Sequence, residues 1–173
     1  WGEGIDSFYG SKRIIIQDNI VFAARALGIY VDSTHDAKIR RNLVVGTKEP
    51  LYFRNSAGNG PAITLNNESY QFSGSGGSLP HSAVSKNIEI YNNLVAGTNV
   101  GFAIWGQHPA TNYQNIKIYN NTVVNSDSMF SLITTKYSGN QNEIMNNKKK
   151  LFLFYNMVFL FIFHNQFKFL KIL

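Results

Sequence analysis

The sequence predicts an all-β solenoid of short parallel strands, a parallel β-helix of about six coils. Three observations support this: a repeat of about 25 residues, short segments that alternate apolar with polar residues, and an asparagine that returns at the same point of each repeat. Segments with helical periodicity do not separate the strands, which argues against a parallel sheet with helical crossovers. The chain is therefore expected to coil on itself, each coil burying its apolar side on its neighbours.

The recurring asparagine closes an I-x-N/D-N core. Its five copies end at Asn19, Asn42, Asn93, Asn121 and Asn147, which gives spacings of 23, 51, 28 and 26 residues. Because 51 is about two repeats, one coil there has lost its asparagine or carries an insertion. Asparagine tolerates a left-handed backbone and can pair its amide with the coils above and below, so we expect a ladder.

Each repeat also contains a segment like G-I-Y-V-D at 28–32 before the asparagine and an apolar pair after it. The repeat therefore reads as strand, turn, strand, asparagine turn, strand. Successive side chains of a strand alternate between faces, so the apolar members define the inside. The predicted inward column consists of Ile5, Ile29, Val31, Leu51, Phe53, Phe102 and Ile104.

The outward columns follow from the same alternation when Gly4, Gly28, Pro50 and Gly101 are aligned. They contain acids, a base and aromatic rings, and we expect them to form one exposed face. Aromatic rings stack on the apolar faces of sugars, while carboxylates and arginine fix hydroxyls and uronate carboxylates. The first column is Asp6, Tyr30, Tyr52 and Ala103, and the second is Phe8, Asp32, Arg54 and Trp105.

Proton abstraction next to a uronate carboxyl group needs a base near the carbon and a cation or acid that neutralises the carboxylate. Asp6, Asp32 and Asp36 can supply oxygen ligands for Ca²⁺. Arg54, one coil from Asp32, can clamp the substrate carboxylate. The competing interpretation is that Asp32 and Arg54 form a surface ion pair of little energetic weight.

Tyr30 and His35 are an alternative acid/base pair on the same part of the chain. The competing interpretation of residues 32–36 is a simple polar turn. A glycine- and serine-rich run at 73–78 interrupts the repeat, and the stretch of about 66–87 is predicted to leave the solenoid as a loop insertion. That loop either lines the groove or has no functional role.

The charge distribution argues against nucleic acid as a partner. The net charge is +6, but residues 148–173 carry five lysines and no acid, which leaves 11 basic and 10 acidic side chains in residues 1–147. The chain contains no cysteine, so a disulfide scaffold and a thiolate metal site are excluded.

The composition changes abruptly at about Asn147, and residues 148–173 are treated as a hydrophobic, basic tail distinct from the repeats at 1–147. The tail holds seven of the 13 phenylalanines and none of the 14 glycines. Its apolar run at 151–163 is short for a membrane span, which needs about 20 residues. Three alternatives remain: an out-of-frame or non-native sequence after Lys148–Lys150, a membrane-associated segment, or an ordinary terminal helix.

The G-I-x-V-D and N-I-x-I-x-N-N-x-V-x patterns, clearest at 87–95 and 115–124, resemble those of right-handed parallel β-helix repeat proteins of the pectate lyase superfamily. The segments at 2–6 and 28–32 are most similar to alginate lyase-like and mannuronan epimerase-like members. The resemblance implies a right-handed coil and carbohydrate processing. A pectate lyase-like role would make Arg54 the base, whereas an epimerase-like role would favour Tyr30 and His35.

The expected function is therefore that of a lyase or epimerase that acts on an acidic polysaccharide. The catalytic candidates are Asp32, Arg54, Tyr30 and His35. Asp6, Tyr52 and Trp105 are the expected substrate-binding residues. The alternatives are a non-catalytic carbohydrate-binding or structural coil, and a fragment of a tailspike or adhesin. A secreted or cell-surface location is expected, with a membrane as partner only if the tail is genuine.

Overall fold

Three parallel β-sheets make up the repeat region in the computed structural model of the protein. The structure describes residues 2–7, 10–47, 49, 51, 60–67, 84–106, 112–132, 141–151, 160–163 and 166–169. For the last two segments it describes the backbone strands alone.

Each sheet contains five strands, which are numbered here in chain order. Sheet A consists of β1 (Ile5–Ser7), β4 (Ile29–Asp32), β7 (Ile63–Asn66), β10 (Val100–Ile104) and β13 (Ser128–Leu132). Sheet B consists of β2 (Ile15–Gln17), β5 (His35–Arg40), β8 (Val84–Tyr91), β11 (Asn112–Tyr119) and β14 (Glu143–Met145). Sheet C consists of β3 (Ile20–Phe22), β6 (Leu43–Val45), β9 (Leu94–Ala96), β12 (Thr122–Val124) and β15 (Lys148–Lys150).

The chain visits sheets A, B and C in turn and then returns to sheet A one strand further along. Every pairing within the three sheets is parallel. The all-β class and the parallel, solenoid-like stacking of the strands predicted from the repeat are therefore confirmed.

The described strands form five coils, whereas the repeat spacing predicted about six. The difference lies between Asn42 and Asn93. Strand β5 pairs directly with β8, and β6 pairs directly with β9, so the 51 residues form one coil with an insertion. The extra residues lie in the connections before and after β7.

The third coil also corrects the predicted register of sheet A. Ile29 pairs with Ile63 and Val31 with Leu65, so these two residues take the inward places that the sequence assigned to Leu51 and Phe53. Leu51 is 82% exposed and lies outside the core, and Phe53 is outside the described residues. The runs at 50–54 and 62–66 both alternate apolar with polar residues. The pairing of strands in the structure shows that the second run is the one in sheet A.

Inward side chains of all three sheets meet in one apolar core along the axis. Sheet A contributes residues such as Ile29, Ile63 and Phe102, all at most 1% exposed. Sheet C contributes a column of valines at the same point of four successive coils. These are Val21, Val44, Val95 and Val123.

The predicted asparagine ladder is present in full. The side-chain amide Nδ2 of each of the first four asparagines donates to Oδ1 of the asparagine in the next coil, over 2.9 to 3.0 Å. The left-handed backbone, however, belongs to the preceding residue, for example Asn92 with φ of 55° and Asn120 with φ of 53°. This preceding residue turns the chain, and the ladder asparagine satisfies the polar groups that the turn leaves inside.

The tail contributes to two separate features. Lys148–Lys150 form the last strand of sheet C, so the change of composition at Asn147 does not coincide with the end of that sheet. Strands β16 (Leu160–Phe163) and β17 (Gln166–Phe169) form an antiparallel pair of their own. In the described part of the chain, no helix is long and apolar enough to cross a membrane.

Candidate functional site

The candidate site lies on the outer side of sheet A. Asp6 pairs with Tyr30, Tyr30 with Thr64, and Thr64 with Ala103, so one predicted outward column is correct except for its third member. Thr64 occupies the place assigned to Tyr52. Its hydroxyl is buried and finds no hydrogen-bond partner among the described residues.

The second outward column is corrected in the same way. Asp32 pairs with Asn66, which occupies the place assigned to Arg54. The main-chain nitrogen of Trp105 donates to the carbonyl oxygen of Leu65, so Trp105 continues this column in the next coil. Tyr52 and Arg54 lie outside the described residues, and their predicted roles stay predictions.

The prediction that these columns form one exposed face is wrong for three of their members. Tyr30 is 6%, Ala103 1% and Asp32 0% exposed. Alternation along a strand gives the side on which a residue lies and contains no information about what covers that side. Among the described members of the two columns, exposed Asp6 and half-buried Trp105 retain contact with solvent.

Tyr30 is held by two neighbours on this outer side. Its hydroxyl oxygen accepts a hydrogen bond from Nδ2 of Asn66 over 2.8 Å. Its ring lies 6.5 Å from the ring of Trp105 at an interplanar angle of 55°, a tilted aromatic contact. The three side chains come from three successive coils, so strand stacking brings together residues that are far apart in sequence.

Asp32 ends β4 at a buried polar turn. Ser33, which follows it, has a left-handed backbone with φ of 50°. The Ser33 hydroxyl donates to Oδ1 of Asp32 over 2.9 Å, and the Thr34 hydroxyl donates to the Asp32 carbonyl over 3.0 Å. The Thr34 hydroxyl also lies 2.8 Å from that of Ser7 in the preceding coil. This hydrogen bonding fixes the carboxylate at the corner between sheets A and B.

Tyr113 is a member of this region that the sequence reasoning missed. It lies in β11, is fully buried, and donates its hydroxyl to the carbonyl oxygen of Trp105 over 2.5 Å. Burial raises the pKa of the Tyr113 hydroxyl well above its ordinary value, and the nearby Asp32 carboxylate raises it further. Tyr113 therefore stays protonated and anchors the strand end that carries Trp105.

His35 lies on a different sheet from Tyr30, its predicted partner. It begins β5 of sheet B, where it pairs with Lys86, and it bridges to Lys12 of the first coil. Burial lowers the pKa of the His35 imidazole, and the charges of Lys86 and Lys12 lower it further. The imidazole is therefore neutral at pH 7, a form that can accept a proton.

The three predicted calcium ligands do not form a group. Asp6 lies on the outer side of sheet A, whereas Asp36 is exposed on sheet B and accepts a hydrogen bond from Nδ2 of Asn87 over 2.7 Å. Within the residues that the structure describes, no three carboxylate, imidazole or thiol side chains are arranged to hold a metal ion. Asp6, Asp32 and Asp36 therefore do not fit a three-carboxylate Ca²⁺ site.

The outer face of sheet B is a second polar surface that the sequence reasoning missed. Tyr91 and Tyr119 stack at 5.0 Å with their rings 2° from parallel, and the Arg40 guanidinium lies 5.9 Å from the Tyr91 ring centre. Burial and a hydrogen bond to Glu89 raise the pKa of Tyr119 to about 12. The available signal was the residue x of the I-x-N/D-N core, which is Arg40, Tyr91 and Tyr119 in three successive coils.

This tyrosine pair is poorly suited to sugar stacking. Each ring covers one face of the other, and Arg40 covers the second face of Tyr91. The Tyr91 hydroxyl accepts a hydrogen bond from Arg40, and the Tyr119 hydroxyl donates to Glu89. The pair is therefore better explained as a contact that holds neighbouring coils together.

Comparisons of the chain with models of protein families, with curated proteins and with solved structures found no match.

Proposed function

We propose that this protein is a right-handed parallel β-helix of the pectate lyase type that binds an acidic polysaccharide on the outer side of sheet A. The observation that carries the proposal is the placement of Asp6, Tyr30 and Trp105, from the first, second and fourth coils, on the outer side of sheet A. Exposed Asp6 offers a hydrogen-bond acceptor for sugar hydroxyls, and half-buried Trp105 offers an aromatic surface. Such a role suits a secreted or cell-surface protein.

Binding is favoured over catalysis because the predicted catalytic carboxylate is inaccessible. Asp32 is 0% exposed and is hydrogen-bonded to Ser33, so a polymer cannot reach it without a rearrangement of the corner. The same argument applies with less force to Tyr30, which is 6% exposed.

Affinity electrophoresis in gels containing alginate or pectate tests this proposal. The wild-type chain is expected to be retarded, and Trp105→Ala is expected to lose most of the retardation because it removes the aromatic surface. Phe22→Ala is the matched control, since it removes a 70% exposed ring from sheet C. Equal retardation of both variants, or none for the wild type, would reject sheet A as the binding surface.

A second candidate function is a lyase or epimerase reaction with Tyr30 as the group that moves a proton. The observation that favours it is the hydrogen bond that Nδ2 of Asn66 donates to the Tyr30 hydroxyl oxygen over 2.8 Å, which holds that hydroxyl in one position. Incubation with alginate or pectate would then yield an unsaturated sugar, seen as ultraviolet absorbance, or a changed epimer ratio. Tyr30→Phe removes the hydroxyl but keeps the ring beside Trp105, so it should abolish the product while reducing retardation in the gel far less than Trp105→Ala does.

A further inference from the structure

The last strand of sheet C places a charge where the core requires an apolar side chain. In the register of sheet C, Val95 pairs with Val123, and Val123 pairs with Lys149. Lys149 thus continues the inward valine column, whose members are 0 to 7% exposed. The flanking residues Lys148 and Lys150 continue the two outward columns of the same sheet.

Lys149 itself is exposed, and its ammonium group donates to the carbonyl oxygen of Asp127 over 2.8 Å. Asp127 precedes β13, so the side chain reaches to the turn that opens the same coil. Next to it, Ile144 is 37% exposed although its column partners Ile39, Ile90 and Ile118 are 0 to 1% exposed. Within the part of the chain that the structure describes, the fifth coil therefore presents an open end of the core.

The two ends of the described solenoid are complementary in their backbone and ladder groups. Strands β1, β2 and β3 are edges at one end, and β13, β14 and β15 are edges at the other. Within the described residues, Oδ1 of Asn19 accepts no hydrogen bond, and the main-chain nitrogen of Asn147 has no acceptor. In every interior coil that nitrogen donates to the Oδ1 of the next asparagine.

A second copy of this chain therefore fits the open end. Its Asn19 would accept from Asn147 in the same direction as the interior ladder runs, and its β1, β2 and β3 would extend the three sheets. A contact of this kind is heterologous and does not close, so it would produce filaments. Lys149 would then lie between Val123 and Val21 of the second copy, where burial of an ammonium group is costly.

We propose that the charge of Lys149 prevents the first coil of a second copy from stacking on this end of the solenoid. An inward-pointing charge on an edge strand is one of the devices by which proteins avoid edge-to-edge association. The device is independent of any carbohydrate bound on sheet A. It makes the identity of a single side chain in β15 decisive for self-association, whereas Lys148 and Lys150 contribute only outward charge.

Sedimentation velocity of the full 173-residue chain over a hundredfold range of concentration tests the proposal. Lys149→Val is expected to associate at a concentration at least tenfold lower than the wild type. The matched variants Lys148→Val and Lys150→Val remove the same charge from outward positions and are expected to behave like the wild type. Equal association of all three variants would overturn the proposal, because net charge would then be the cause.

A second variant separates stacking at this end from other modes of association. Asn19→Ala in the Lys149→Val background removes the Oδ1 acceptor at the opposite end and should restore wild-type behaviour. Circular dichroism of each variant confirms that the strands are retained. Association that persists in this double variant would contradict the proposed role of Lys149 in preventing stacking. A Lys149→Val chain that stays monomeric while folded would contradict it as well.

Discussion

At the scale of single residues, the ladder asparagines form hydrogen bonds with buried polar groups, which no apolar side chain can do. Asn93 is 2% exposed and its side chain makes four hydrogen bonds: Oδ1 accepts twice from Asn42, and Nδ2 donates to Asn121 and to the Ile39 carbonyl. Among the described residues, the side-chain amide of Asn19, in the first coil, is linked to one asparagine, Asn42.

Asn93→Ala is therefore expected to lower the free energy of unfolding by about 3 kcal/mol, because several buried polar groups lose their partners. Asn19→Ala is the matched control and should cost about 1 kcal/mol. Urea denaturation followed by circular dichroism measures both. Equal losses for the two variants would show that the ladder contributes no more at its centre than at its end.

At the scale of elements, the corner that follows sheet C is formed in three of the described coils by a residue with a left-handed backbone. The corner after sheet C falls on Ala23 in the first coil, on Gly97 in the third and on Asn125 in the fourth, with φ of 51°, 65° and 50°. Each of these residues donates its main-chain N–H to the next coil, for example Ala23 to the Val45 carbonyl over 2.9 Å.

Ala23 is the least suitable of these corner residues, since a left-handed conformation costs a residue with a Cβ about 1 to 2 kcal/mol. Ala23→Gly should remove that cost, but the greater freedom of glycine in the unfolded chain should offset about 0.4 to 1 kcal/mol of it. The free energy of unfolding should therefore rise by about 0.5 kcal/mol. Ala24→Gly, whose backbone is not left-handed, should destabilise. The urea midpoints of the two variants must shift in opposite directions for this explanation to stand.

The sequence predicts two of the three sheets better than the third. The I-x-N/D-N repeat predicts sheets B and C and the ladder, because one polar residue at the same point of each coil marks the register. Sheet A has no such marker. Alternation alone could not distinguish the run at 50–54 from that at 62–66, so Thr64 and Asn66 were missed as neighbours of Tyr30 and Asp32.

The candidate site was predicted less completely than the fold for a related reason. Strand parity placed Asp6, Tyr30 and Ala103 in one column correctly. It could not reveal that Asp32 is buried, because burial of an outer face depends on contacts that alternation does not encode. Nor could it place His35 on sheet B, since the left-handed Ser33 redirects the chain between Asp32 and His35.

At the scale of the whole molecule, the solenoid is a one-dimensional array in which each coil contacts its neighbours. The central strand β8 pairs on both sides, and its inward residues Ile88 and Ile90 are at most 1% exposed. The edge strand β14 pairs on one side, and all three of its residues are exposed. Stability should therefore decrease from the centre of the array towards its ends.

Hydrogen exchange measured by mass spectrometry is expected to show this gradient, with the amides of β8 and β9 exchanging at least tenfold more slowly than those of β14 and β15. Asn93→Ala should accelerate exchange in β5 and β11, the strands on either side of the broken link, whereas Asn19→Ala should affect the first coil alone. Uniform exchange across all five coils would mean that the array unfolds as one cooperative unit. In that case the loss caused by Asn93→Ala would be shared by every coil, and the coil-by-coil account of its stability would fail.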